Sequence, residues 1–353
     1  MTTVTAIEIG YGTLTYPVRE KERQVYKTFP STVCPAVNGD LSGGFSKRNT
    51  VIVNVDGRAY EVGPEAELLS DRTSSRSLNS KYIDTDQYKA LFLGALANMN
   101  ETNIDLLVLS LPVNNMQRAS DLKKYATGKH VAGNKTVNVD SVWVLCQPLA
   151  GFMHYATTIG PEEYAKLTNH NCLVIDFGYL TVDWLVTKGL KINERKSGAR
   201  NLGMSVILEN CEDALRGSPG LDGIDDITQT QIDRAFYAEK GILNIGSRAL
   251  PFPICRKKDQ NGNAVEIEYD CSKVIAYVTT TAMQAVRHSA GAGADIRAIV
   301  VMGGAHSVYM DAVREAYPSH DIIVVEEPLI AVCKGMVEGG RQYYEATKLK
   351  GAS

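Results

Sequence analysis

The sequence contains no C-x-x-C pair. Its seven cysteines, Cys34, Cys146, Cys172, Cys211, Cys255, Cys271 and Cys333, are scattered and odd in number. That spacing argues against a structural zinc site and against a disulfide framework. Unpaired cysteines suit a reducing compartment. No uninterrupted apolar run reaches the roughly 18 residues that a membrane-spanning helix needs. The N-terminus has no basic stretch followed by an apolar one. Positive charge is not in excess either, because 37 Lys and Arg stand against 40 Asp and Glu, a formal net charge of -3. Nucleic-acid binding by the whole surface is therefore not expected. There is no low-complexity tract. The expectation is a soluble, cytoplasmic protein without membrane contact.

What is present is an ordinary globular composition, 44 % hydrophobic and 22 % charged. The 353 residues exceed one core of about 100–200 residues, so two domains are expected. Val4–Ile9 and Thr13–Val18 read as strands joined by a short turn. Residues 50–63 alternate around Asp56-Gly57, a strong hairpin signal. Residues 84–99 have helical spacing and an acidic start. Apolar strands follow at Ile104–Leu111, Ser141–Cys146, 172–178, 296–302 and Ile322–Val325. Helical periodicity covers 227–241 and 272–290, and the stretch Lys257–Ala264 reads as a polar surface loop. Strands alternating with helices define an α/β fold.

One pattern occurs twice. Glu8-x-Gly10 follows an apolar strand, and so does Asp176-x-Gly178. Gln147-Pro148-Leu149-Ala150-Gly151 is echoed by Glu327-Pro328-Leu329-Ile330-Ala331. A strand ending in a carboxylate and a glycine turn, then a later strand running through Gln/Glu-Pro into a helix, suggests two related domains facing each other.

The chemistry of these pieces is specific. Successive backbone N–H groups in a glycine turn can converge on an anion. A bare carboxylate beside phosphate would repel it, unless a cation stands between. Mg²⁺ prefers oxygen ligands, keeps several waters and is shared with substrate phosphates. Asp176 at a strand end fits that role, and Thr181 can donate its hydroxyl to a phosphate oxygen. The bland alternative is a hairpin with a polar turn. Gln147, at a strand's C-terminal edge where ligands of open α/β sheets collect, can orient a water by donating and accepting at once; it can also simply cap a helix. Gly303-Gly304 allows close approach by the planar or sugar part of a ligand, or forms a tight strand-to-helix turn.

Taken together, the motifs resemble the actin-like ATPases, the superfamily of actin, chaperone ATPase domains and sugar kinases. The first phosphate motif is Glu8-Ile9-Gly10-Tyr11-Gly12 and the second is Asp176-Phe177-Gly178-Tyr179-Leu180-Thr181-Val182-Asp183. The two Pro-containing junctions are the connecting motifs, and Val300-Val301-Met302-Gly303-Gly304-Ala305 is the adenosine motif. Phe29-Pro30-Ser31, Leu109-Ser110-Leu111-Pro112-Val113 and Ser197-Gly198-Ala199-Arg200-Asn201-Leu202-Gly203-Met204 look most like the ParM/StbA plasmid-segregation actins and their archaeal relatives.

The resemblance implies duplicated RNase H-like domains around a nucleotide cleft. Residues 1–168 would form the first, with a small β-rich subdomain at about 20–83. Residues 169–353 would form the second, with a last helix at about 329–345 packing back on the first. It implies binding of ATP, or GTP, with Mg²⁺ facing Glu8 and Asp176. The nucleotide would lie among Gly10, Tyr11, Gly12, Thr13, Thr15, Gly178, Tyr179, Leu180, Thr181, Gly303, Gly304 and Ala305. Gln147 would orient the hydrolytic water, with Asp176 and Glu8 completing the catalytic set. It implies a filament of the protein with itself, segregating plasmid DNA through an adaptor protein, with no direct sequence-specific nucleic-acid contact. Two departures bear on rate: the family usually has Asp at position 8 and often Lys at position 15, where this chain has Glu8 and Thr15. Slow hydrolysis, or a non-hydrolysing scaffold filament, is the first alternative. A small-molecule kinase of the same fold, with Asp183 as its catalytic carboxylate, is the second.

Overall fold

The computed structural model describes residues 2–37, 45–69, 81–216, 218, 221, 227–258 and 264–351. The N-terminal half runs β1 (Val4–Ile9), β2 (Thr13–Glu20), β3 (Arg23–Pro30), β4 (Val33–Pro35), β5 (Val51–Val55), β6 (Arg58–Val62), α1 (Asp86–Asn98), β7 (Asn103–Ile104), β8 (Leu106–Leu111), α2 (Ala119–Ala126), β9 (Gly128–Ala132), β10 (Lys135–Val139), β11 (Val142–Cys146), α3 (Gln147–Thr158) and α4 (Pro161–Asn169). The C-terminal half continues with β12 (Asn171–Phe177), β13 (Val182–Lys188), β14 (Lys191–Arg200), α5 (Met204–Arg216), α6 (Gln229–Tyr237), β15 (Ile242–Ile245), β16 (Arg248–Pro251), β17 (Ile254–Lys258), β18 (Ala264–Asp270), α7 (Ser272–Ala290), β19 (Ile296–Met302), α8 (His306–Ala316), β20 (Asp321–Val324) and α9 (Ala331–Gly351).

Two five-stranded sheets carry the molecule, β3-β2-β1-β8-β11 and β14-β13-β12-β19-β20. Their topologies match strand for strand. The first three strands of each meander antiparallel, and the last two join in parallel. Parallel strands must be bridged by crossovers. The last strand of each sheet then leads into a helix, α3 after β11 and α9 after β20. The repeat of short motifs seen in the sequence is thus a repeat of whole half-molecules.

α3 and α9 cross against each other, and α9 lies along β1 and β8. They share one buried cluster with residues of both sheets, among them Ala6 and Val108 of the first and Val174 and Val300 of the second. Glycine makes the crossing possible. A Cβ on Gly335 would overlap the Ala150 carbonyl oxygen, and one on Gly340 would sit 2.6 Å from Val108 Cγ2. Each half also has its own core on the far side of its sheet.

The Asp56-Gly57 hairpin forms as expected, with φ of 47° and 84° at its two central residues, the left-handed pair that a type I′ turn requires. α1 is capped by Thr85, whose hydroxyl accepts the Tyr88 amide at 3.2 Å. Three expectations need correction. The run Ile104–Leu111 is not one strand, because Asp105 turns to bond the N-terminus through Thr3 N–H at 2.6 Å, and β7 joins a separate sheet with β10 and β9. Lys257, Lys258 and Ala264 are strand residues of the β17–β18 hairpin rather than loop; 259–263 lie outside the described residues. β3 belongs to the large sheet, so the small sheet β4-β6-β5 takes in only 33–62.

Candidate functional site

The two glycine turns are built alike. In the β1–β2 hairpin Glu8 pairs with Thr15, and the Gly10 amide donates to the Thr13 carbonyl at 2.9 Å. In β12–β13 Asp176 pairs with Asp183, and the Gly178 amide donates to the Thr181 carbonyl, also at 2.9 Å. Each turn thus has a carboxylate two residues before its first glycine. The second turn is held from behind by the start of α5. The amides of Met204, Ser205 and Gly203 donate to the carbonyls of Gly178, Tyr179 and Leu180 at 3.2, 2.7 and 3.0 Å. Three successive carbonyls are therefore directed toward α5, an orientation suited to an anion-binding loop. The first turn is pinned by Ser31, whose hydroxyl donates to the Gly10 carbonyl at 2.6 Å.

The carboxylates are buried, Glu8 and Asp176 at 8 % exposure and Asp183 at 1 %. Burial pushes the Glu8 carboxyl up to about 8; the charge of Asp176 adds to the rise, and a hydrogen bond from Thr15 opposes it. Asp176 is pushed up to about 7 by burial and by the charge of Asp183. Burial raises Asp183 to about 6 against hydrogen bonds from Thr181 and the Val113 amide. Buried carboxylates with raised values arise where desolvation meets like charge without a counter-ion.

Glu8, Asp176, Gln147 and both turns line one cavity of about 470 Å³ between the halves, within the usual range for small-molecule sites. Gly10, Tyr11, Gly12, Thr13, Gly178, Tyr179, Leu180, Thr181, Gly303, Gly304 and Ala305 all face it. Gln147 is the first residue of α3 and is 8 % exposed. Gly303 has a structural duty as well. Its φ is 94°, and a Cβ there would meet the Asp176 carboxylate oxygen at 2.5 Å.

Two sequence expectations are corrected here. Thr15 is fully buried and does not line the cavity. Register places it behind Glu8, with its hydroxyl 3.1 Å from that of Thr28. Asp183, the candidate of the kinase alternative, does not face the cavity either. Its Oδ1 accepts the Val113 amide at 2.6 Å instead.

Sequence reasoning missed Met204, Asp233, Tyr237, His306, Ser307, Pro328, Leu329 and Val332, which complete the lining. Asp233 and Tyr237 stand four apart on α6, hence on one helical face, and the Tyr237 hydroxyl donates to the Gly304 carbonyl at 3.1 Å. Only that spacing could have singled them out. No lysine or arginine lines the cavity among the described residues. An anionic ligand there would be offset mainly by backbone N–H groups and a metal. Two carboxylates are the protein ligation Mg²⁺ ordinarily takes when phosphates and water supply the rest, so this donor set fits Mg²⁺.

Two duplicated halves joined by crossing helices, with paired glycine turns in the cleft between them, define an actin-like fold. Residues 6–149 match the family model described as the N-terminal domain of actin-like proteins. No curated protein sequence matches the chain. Among solved structures, the archaeal actin homologue Ta0583 aligns with a TM-score of 0.72 at 12 % identity, over 97 % of this chain and 100 % of that one. Ta0583 has also been crystallised with ADP. The ParM of a 15-stranded filament from Clostridium botulinum aligns with a TM-score of 0.70 at 18 % identity, over 97 % and 100 %. The actin-like protein Alp7A gives 0.63 at 15 %, over 99 % of each chain. The chain therefore has the actin-like fold throughout. No helix among the described residues is long and apolar enough to cross a membrane.

Proposed function

We propose that this protein is a nucleotide-dependent, filament-forming actin-like ATPase that segregates plasmid DNA in the cytoplasm through an adaptor protein. One observation carries the proposal: two matched glycine turns, each with a buried strand-end carboxylate, line the same cavity as Gln147. The domains divide at about 168/169, so the nucleotide, ATP or GTP, lies between them. Backbone N–H groups of Gly10 to Thr13 and of Gly178 to Thr181 hold the phosphates. Glu8 and Asp176 hold Mg²⁺, which when bound supplies the positive charge that the lining side chains lack. Gln147 accepts from and donates to one water, fixing its approach to the terminal phosphate. Gly303, Gly304 and Ala305 border the base and sugar, with Asp233 and Tyr237 on the facing helix.

The filament joins copies of this chain, and the adaptor rather than the filament touches DNA, in keeping with the net charge of -3. A slow or non-hydrolysing scaffold is the second reading. What favours it is the retreat of Thr15 from the cavity and the absence of a lysine or arginine side chain there among the described residues.

Light scattering against protein concentration with Mg-ATP tests assembly. The expected result is a critical concentration with no sugar requirement; no assembly across varied salt and nucleotide would refute the filament readings. Phosphate release from the same samples separates ATPase from scaffold.

A further inference from the structure

The second glycine turn does not merely face the opposite half; it is inserted into it. Leu180 sits at the tip of a turn in the C-terminal half, yet it is 7 % exposed and belongs to the buried cluster of the N-terminal half, with Tyr11, Leu14 and Leu111. Tyr179 packs against the cores of both halves. A Cβ on Gly12 would fall 2.6 Å from the Tyr179 Cβ, so the two turns touch directly. Four residues after Tyr179, Asp183 accepts the Val113 amide across the same boundary at 2.6 Å. Beside it the Asn114 side-chain amide donates to the Ala199 carbonyl at 3.1 Å. At its other end the turn is fastened to its own half by the amides of Gly203, Met204 and Ser205, at the start of α5.

An apolar side chain at the tip of a glycine turn is unfavourable in water and becomes favourable only when buried. Leu180 is buried only while the two halves are together. A turn tied by its backbone to one half and by its side chain to the other acts as a strut, so the halves cannot part at this end without withdrawing Leu180 from the N-terminal core. We propose that residues 178–183 form an apolar latch that holds the cleft closed without nucleotide, and that Leu180 couples the contents of the cleft to the angle between the halves. The coupling rests on the nucleotide reading above; the latch itself does not.

The Val113 amide reports opening, because its acceptor Asp183 lies on the other half. In the regime where exchange follows the population of the open state, hydrogen exchange of the peptide around Val113 measures the latch in nucleotide-free protein. Leu180→Ser is expected to speed that exchange about tenfold or more, the scale of exposing one leucine. Leu180→Met should stay near wild type, and peptides of β12 and β19 should be unaffected. Unchanged exchange at Val113, or equal acceleration in β12 and β19, would overturn the latch. If Leu180→Ser does not fold, Leu180→Ala is held to the same two criteria. With Mg-ATP, once a separate titration shows it bound, exchange in Leu180→Ser should slow again. Bound nucleotide without slowing would overturn the coupling, whereas absence of binding to the wild-type protein would overturn the nucleotide reading and leave the latch result standing.

Discussion

Glu8 should make the nucleotide-free protein less stable as pH rises, and the size follows from its surroundings. The carboxyl has an ordinary value of 4.5 and is pushed to about 8 by burial and by Asp176. Below 4.5 both folded and unfolded chains hold the proton, so nothing is lost. Between 4.5 and about 8 the folded chain holds a proton that the unfolded chain has released, so stability falls through that window. The interval is about 3.5 pH units, and at about 1.36 kcal/mol each it amounts to roughly 5 kcal/mol. Dielectric relaxation around the ionised group reduces this, and about 2 kcal/mol is a working floor. From pH 5 to pH 8.5 about 3 of these units are crossed, so at about 2 °C per kcal/mol for a chain of this size the melting temperature should drop by about 4–8 °C more in wild type than in Glu8→Gln. The assay is calorimetry of both proteins in chelator, which keeps metal out. The difference between them cancels every shared group that does not interact with Glu8, and leaves the Glu8–Asp176 repulsion within the effect measured. Adding Mg²⁺ with nucleotide at pH 8.5 should then raise the wild-type melting temperature more than that of Glu8→Gln, because a cation restores the favourable state of the carboxylate. Parallel pH curves for the two proteins would refute the account of Glu8 as a buried carboxylate lacking a counter-charge.

Gln147→Ala should leave assembly in Mg-ATP intact and slow phosphate release by about 10²-fold, the range seen when a positioned polar group is removed; unchanged release would take Gln147 out of the mechanism. Thr15→Lys should flatten the pH dependence of stability, because the introduced ammonium would stand directly opposite Glu8; calorimetry across the same pH range checks this, and an unaltered slope would contradict the register argument. Gly335→Ala should cost about 3 kcal/mol or more in denaturant unfolding, since its methyl group would overlap the Ala150 carbonyl oxygen, a backbone atom that cannot swing aside. A cost below about 1 kcal/mol would mean that α3 and α9 separate easily.

Much of the fold could be read from the sequence because its signals are local. A carboxylate–glycine turn declares itself by spacing within four residues, and the Asp56-Gly57 hairpin does so because φ of 47° and 84° is demanded at its two central residues. Apolar strands between such turns follow from period and length. The break at Asp105 escaped because the apolar pattern continues through it; only the contact with Thr3, 102 residues away in sequence, redirects the chain. Lys257 and Lys258 looked like loop because polar residues in a hairpin arm carry no burial pattern to read.

By itself, the sequence determined the two carboxylate–glycine turns, their order and the Gln147-Pro148 junction, because each is a short-range requirement of backbone geometry or hydrogen bonding. The tertiary structure alone decided which of these residues meet. Pairing register put Thr15 behind Glu8 and out of the cavity. Packing between the halves buried Leu180 in a core that is not its own. The approach of α6 brought Asp233 and Tyr237 to the cleft. None of these has a local signature, because desolvation and close contact depend on atoms that segments distant in the chain bring together.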